Sequence, residues 1–109
     1  MDLVLQAIAE PRRREILMLI RTGELASGGI AAHFDVTRPA ISQHLQVLTA
    51  AGLVSVRKDG TRRLYQARPE GLADLRTFLE SFWDVRLLRL KQAAEAEERR
   101  LQRNDTAAE

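Results

Sequence analysis

The sequence predicts a mainly α domain (an α+β chain) with one small β-hairpin, in the order α-α-α-α-β-β-α. Three observations carry that prediction. Ile41, Leu45 and Leu48 fall at i, i+4 and i+7, one buried stripe of a helix, and Thr37 ahead of them is a good N-cap. Leu53-Val54-Ser55-Val56-Arg57 and Arg63-Leu64-Tyr65-Gln66-Ala67 alternate in polarity around Lys58-Asp59-Gly60-Thr61-Arg62, and Asp-Gly is a strong hairpin signal. Pro69 then opens a stretch of helical apolar spacing that reaches at least Glu95.

The remaining elements follow in order. Leu3, Leu5, Ile8 and Ala9 suggest a short opening helix. Pro11 starts a second, because the N–H that proline lacks would find no partner in a first helical turn. Ile16, Leu17, Leu19 and Ile20 give that helix a broad apolar face before Thr22-Gly23 ends it. A third, short helix is expected over about Ser27 to Phe34, weakened by Gly28 and Gly29 at roughly 1 kcal/mol each relative to alanine. Asp35-Val36 forms a turn, and the next helix runs from Arg38 to Ala50 or Ala51, with Gly52 as its left-handed terminator. Residues 1–97 make one domain; residues 98–109 are charged and alanine-rich, and are expected to fray.

Composition excludes several classes of chemistry. A chain of 109 residues with 45% apolar content can bury a small core, about 60% of its unfolded surface. It has no cysteine, so disulfides, thiolate ligands and thiol switches are ruled out. His33 and His44 are the only histidines, and no His/Asp/Glu set stands at ligand spacing, so neither metal nor cofactor is expected. His44 lies beside the buried stripe and reads as a structural hydrogen-bonding group. No Ser/His/Asp arrangement, glycine-rich phosphate loop or carboxylate pair points to an enzyme. No apolar run approaches the roughly 18 residues of a membrane span, and Asp2 to Ala9 lacks the pattern of a signal peptide.

Net charge is +2, but its distribution is uneven. Met1 to Ala67 carries nine Lys/Arg against six Asp/Glu, whereas Arg68 to Glu109 carries eight against nine. The positive half holds the candidate binding residues. With Ile41, Leu45 and Leu48 inward, Arg38, Ser42, Gln43 and Gln46 face outward, and none is apolar. These types suit base edges in a major groove: Arg pairs with guanine, Gln with adenine, Ser with either. Thr37 and the free amides of the first turn can hold a phosphate. The competing reading is a plain solvated face.

Arg57, Lys58, Arg62 and Arg63 cluster on the hairpin. Strand alternation keeps all four from one face, and Arg62 with Lys58 are the leading contacts. Helix, turn, helix and basic hairpin in this order are the parts of a winged helix-turn-helix, whose ligand is double-stranded DNA. A cytoplasmic, nucleoid-associated protein with no membrane partner is expected. Arg12, Arg13 and Arg14 oppose the macrodipole at a helix start, costing on the order of a few tenths of a kcal/mol each. They either pair with Glu10, Glu15 or the last helix, or grip backbone phosphate.

The last helix has more apolar surface than one packing contact needs. Leu72, Leu75, Leu79, Phe82 and Arg86 follow one seam, and Phe78, Trp83, Val85, Leu87, Leu88 and Leu90 widen it. The excess points to a homodimer built from the first and last helices, with Leu3, Leu5, Leu79, Phe82, Trp83, Arg86 and Leu90 at the interface. Two-fold symmetry then sets two recognition helices about 34–36 Å apart, matched to an inverted repeat.

Five pieces together resemble the ArsR-type bacterial winged-helix regulators over about Leu3 to Leu90: Glu10-Pro11-Arg12-Arg13-Arg14-Glu15-Ile16-Leu17, Gly23-Glu24-Leu25, Val36-Thr37-Arg38-Pro39-Ala40-Ile41-Ser42-Gln43-His44-Leu45, Ala51-Gly52-Leu53-Val54 and Gly60-Thr61-Arg62-Arg63-Leu64-Tyr65. The resemblance implies a dimeric, often autoregulatory repressor that contacts its operator through Arg38, Pro39, Ser42 and Gln43, with Arg62 on the wing. Metal-sensing members carry cysteines in the third helix or His and Asp ligands along the last; this chain has Glu24-Leu25-Ala26-Ser27-Gly28-Gly29 in the first place and no histidine in the second. It is therefore similar to the members without a recognised metal site. Two alternatives stay open: a sensor with a small-molecule pocket at the dimer interface near Phe82 and Trp83, and a protein-interaction module that keeps the winged fold.

Overall fold

The computed structural model describes residues 1–108; residue 109 and the side chains of Val85 and of residues 106–108 lie outside the described residues. The chain divides into one unit over Met1–Leu75 and a second from Arg76 onward. Its elements are α1 (Asp2–Ile8), α2 (Pro11–Leu19), β1 (Leu25–Ala26), α3 (Ser27–Ala31), α4 (Arg38–Ala50), β2 (Val54–Asp59), β3 (Arg62–Ala67), a 3-10 turn (Pro69–Leu72) and α5 (Ala73–Ala108).

α4 is the centre of the first unit. Thr37 caps it as expected, its Oγ1 accepting from the Ala40 N–H at 3.3 Å. Ile41, Leu45 and Leu48 are buried on the inner stripe, where α4 packs against α1, α2, α3 and β2. Ile16, Ile20, Ile30 and Leu53 complete the fully buried set of large side chains. Each such side chain contributes about 1.5–3 kcal/mol relative to staying exposed. Gly52 ends the helix region at φ +77°, in the left-handed region that a Cβ disfavours.

The hairpin has a third partner that alternation could not reveal. β1 pairs antiparallel with β3, Leu25 opposite Tyr65 and Ala26 opposite Leu64, giving a sheet of order β1-β3-β2. Two residues are too few to show a period. α3 is also shorter than the Ser27 to Phe34 expectation. It stops at Ala31, and the chain tightens through i to i−3 bonds from His33 N–H to the Ile30 carbonyl and from Phe34 N–H to the Ala31 carbonyl.

Pro69 opens the 3-10 turn rather than the last helix itself. The turn lies against the end of α4: Arg68 donates to the Gly52 carbonyl at 3.2 Å, and a Cβ at Gly71 would collide with that same oxygen. α5 continues past residue 98 to Ala108, where fraying was expected. Alanine, glutamate and arginine are strong helix formers, and Arg100 pairs with Glu97 one turn away.

The arginine run has a structural use that its own helix does not reveal. Arg13 donates to the carbonyls of Ala7 (2.7 Å) and Gln6 (3.1 Å), and Arg14 to that of Ile8 (2.7 Å). Cations ill placed at the start of α2 are thus well placed at the end of α1, where unpaired carbonyls gather. Arg12 pairs with Glu15 at 3.0 Å, and its guanidinium lies 4.7 Å from the centre of the Phe34 ring. Of the acidic partners expected for the run, only Glu15 is used among the described residues.

Candidate nucleic-acid interface

Two elements of the first unit present the candidate residues. On α4, Arg38, Pro39, Gln43 and Gln46 are exposed, Ser42 is half-buried, and Thr37 is exposed just ahead of the helix. Val47 is exposed as well, one turn beyond Gln43. Sequence reading missed it, although its i+4 spacing from Gln43 places it on the same stripe. An apolar side chain there suits a thymine methyl.

The wing is built by register. β2 and β3 pair from Val54 opposite Ala67 to Asp59 opposite Arg62, leaving a two-residue loop, Gly60-Thr61. The loop is shorter than the five-residue connection expected, because Lys58-Asp59 and Arg62 join the ladder. Gly60 takes φ +63° and Thr61 does not follow it there, the pattern of a type II′ turn with glycine first.

Register also separates the four basic residues. Lys58 stands opposite Arg63, and Asp59 opposite Arg62, so Lys58 and Arg62 lie on different faces of the hairpin. The two leading wing candidates therefore flank the hairpin rather than share a side. Arg62 sits 3.4 Å from the Asp59 carboxylate. Arg57 is engaged with Glu24, Nε to Oε2 at 3.0 Å and Nη2 to Oε1 at 3.1 Å. The hydrogen bond from Arg57 holds the Glu24 carboxylate below the ordinary glutamate range and raises the Arg57 guanidinium in return. Arg57 thus ties the wing to the loop before β1.

Arg38 does not project freely. Its Nη2 lies 3.5 Å from Ser27 Oγ, and its Nε would stand 3.4 Å from a Cβ on Gly28. Ser27, Gly28, Arg38, Thr61, Arg62 and Arg63 border one cleft between α3, α4 and the wing tip. Sequence reasoning did not pick out Ser27, Gly28 or Thr61, since nothing local signals that α3 and the wing approach each other. His44 Nδ1 lies 3.5 Å from Arg13 Nη1, and His33 Nδ1 is 2.8 Å from the Gly29 carbonyl oxygen. Both histidines thus face protein groups. Among the described residues no group of three or more His, Cys, Asp or Glu could hold a metal ion, and no helix is long and apolar enough to cross a membrane.

On α1, Val4 and Ala7 turn inward, while Leu3 and Leu5 are exposed. On α5, Phe82 is 66% exposed and Trp83 50%, Arg86 and Leu90 are exposed, and Leu79 is half-buried.

A capped recognition helix beside a basic wing on one small scaffold defines a winged helix-turn-helix DNA-binding protein. Residues 10–56 match the model of the bacterial regulatory proteins of the arsR family. The HTH-type transcriptional regulator Rv2034 of Mycobacterium tuberculosis is 47% identical over 88% of this chain and 90% of its own length. The transcriptional repressor SdpR of Bacillus subtilis is 35% identical over 75% of this chain and 91% of its own. Among solved structures, the homodimeric winged helix-turn-helix DNA-binding domain of Mb0332 from Mycobacterium bovis superposes with a TM-score of 0.62 at 35% identity, covering 76% of this chain and 77% of that one. The chain belongs to the ArsR family and is a DNA-binding transcriptional regulator.

Proposed function

We propose that the chain is a cytoplasmic, homodimeric repressor that binds an inverted-repeat operator, with residues 1–97 carrying both DNA binding and dimerisation. The observation that carries this reading is the exposed polar stripe of α4 standing beside the basic wing, in a chain whose α5 leaves Phe82, Trp83 and Leu90 uncovered. Ser42, Gln43 and Gln46 read base edges, Thr37 and Pro39 fix the entry of the helix against the backbone, and Arg62 and Lys58 hold phosphates on either side of the wing. Leu3, Leu5, Leu79, Phe82, Trp83, Arg86 and Leu90 form the two-fold interface. Repression follows if the bound dimer occupies the promoter; the relatives named as regulator and repressor support that direction.

With about four phosphates neutralised per protomer, log K should fall with log salt at a slope near −7 for the dimer. Fluorescence anisotropy on a duplex chosen by selection from random sequence measures this. Gln43→Ala should cost about 1–3 kcal/mol at one base position per half-site and nothing elsewhere. Affinity lost equally on every sequence would remove Gln43 from base reading. A second reading has one observation behind it: Phe78, Ser81, Phe82, Arg86 and Arg89 line a groove on α5 that mixes aromatic and cationic groups, suited to an amphiphilic anion. Quenching of Trp83 by such a compound, with release of DNA, is its test.

A further inference from the structure

The cleft between recognition helix and wing is more specific than a general basic surface. We propose that it seats a single phosphodiester group of the DNA backbone, so that Arg38 clamps phosphate together with the wing instead of reading a base. The inference rests on the DNA-binding reading above and assigns the ligand of one part of that surface.

The duplex itself imposes the first argument. If α4 enters a major groove and the hairpin an adjacent minor groove, the ridge that passes between them is a phosphate backbone, and no base edge is displayed there. Arg38, second, lies to one side of the reading stripe. Its guanidinium rests against Ser27 and over Gly28 at the start of α3, facing the cleft rather than the stripe of Gln43 and Gln46. A Cβ on Gly28 would stand 3.4 Å from Arg38 Nε, in ordinary van der Waals contact, so the guanidinium packs directly over this glycine.

Charge supplies the third argument. Arg38, Arg62 and Arg63 border a cleft of about 340 Å³, the two wing arginines from opposite faces of the hairpin, and among the described residues no acidic residue lines it. The Asp59 carboxylate, 3.4 Å from Arg62 Nη2, offsets one of these charges and leaves an excess of positive charge. Arg57, the remaining wing arginine, is neutralised by Glu24 and stays outside. Ser27 and Thr61 add uncharged donors. A planar guanidinium that presents two N–H groups side by side matches two phosphate oxygens, which lysine cannot do.

The test compares wild type, Arg38→Ala, Arg62→Ala and the double variant. Selection from a random duplex library gives sequence preference, and anisotropy on the selected duplex and on a scrambled one gives affinity over a salt series. Arg38→Ala should recover the wild-type motif unchanged. Its affinity should drop at least about tenfold, by the same factor on both duplexes. The salt slope should shrink with each single variant, by about 1.8 for the dimer once the double variant empties the one phosphate seat per protomer. The double variant should lose less than the product of the single losses, because both arginines serve one phosphate. Loss of preference at one base position, with the salt slope intact, would overturn the clamp and return Arg38 to base reading. Multiplying losses would overturn the shared seat. Inorganic phosphate at matched ionic strength is the second arm. If it stabilises the free protein and displaces DNA, while Arg38→Ala binds DNA as wild type does, the cleft serves a soluble anion instead. A wild-type protein that binds no duplex sinks the DNA reading and the clamp together, an outcome distinct from all the others.

Discussion

In Met1–Leu75, Ile16, Ile20, Ile30, Ile41, Leu45, Leu48 and Leu53 are each less than 2% exposed, whereas from Arg76 onward Phe78, Phe82, Trp83, Leu87, Leu88 and Leu90 keep half or more of their surface in water. The first unit closes a core of its own, although Leu3 and Leu5 on α1 stay exposed. The second carries a comparable number of large apolar side chains with nothing of its own to cover them, since a single helix cannot bury all sides of itself. Soluble chains rarely leave such a contiguous patch open unless it binds something. In the proposed dimer the first unit presents α4 and the wing to DNA, and the apolar face of α5, with Leu3 and Leu5 of α1, meets the second copy.

The largest expected effect comes from attacking the open part. Phe82→Glu places charge in the proposed interface and should yield a folded monomer by sedimentation. Loss of the second half-site should then weaken operator binding by about 10²–10⁴-fold. A dimer that survives this change would break the comparison at its root. Leu45→Ala attacks the closed part and should cost about 2–5 kcal/mol in chemical denaturation, with no dependence on protein concentration in the difference. Gly71→Ala should cost about 1–3 kcal/mol, because its Cβ meets the backbone of Gly52 and not a side chain that could turn aside. An unchanged midpoint would show that the 3-10 turn can shift away from α4.

The smallest effect is electrostatic. Glu24 is held below the ordinary glutamate range by the hydrogen bond from Arg57, so the folded state binds its proton less readily than the unfolded chain does. The stabilisation is therefore present above the unfolded titration range and is lost as pH falls through the depressed folded value. Both groups are exposed, so the effect is small. Wild type and Glu24→Gln should differ slightly at neutral pH and converge in acid. A difference that stays constant into acid would contradict the ion pair as its source.

What the sequence made legible is what it encodes locally. The Ile41, Leu45, Leu48 stripe, the Thr37 cap, the Gly52 terminator and the Asp59-Gly60 turn signal each need only a few neighbouring residues to be read. The same locality explains the misses. β1 exists because Leu25 and Ala26 meet Tyr65 and Leu64, some forty positions away, and two residues carry no period of their own. Arg13 and Arg14 look misplaced on α2 until the end of α1 is brought beside them. For the candidate site, the elements were readable and the directions of their side chains were not. The register that sends Lys58 and Arg62 to opposite faces, the pairing of Arg57 with Glu24, and the seat of Arg38 on α3 are all set by tertiary packing.

The central claim, a dimer that reads sequence through α4 with a wing beside it, is tested most directly by selecting bound duplexes from a random library at about 150 mM salt, near physiological ionic strength. The expected product is an inverted repeat whose half-sites are centred about 10–10.5 base pairs apart, one turn of the helix. Recovery of no preferred sequence by a folded, dimeric protein would contradict that claim.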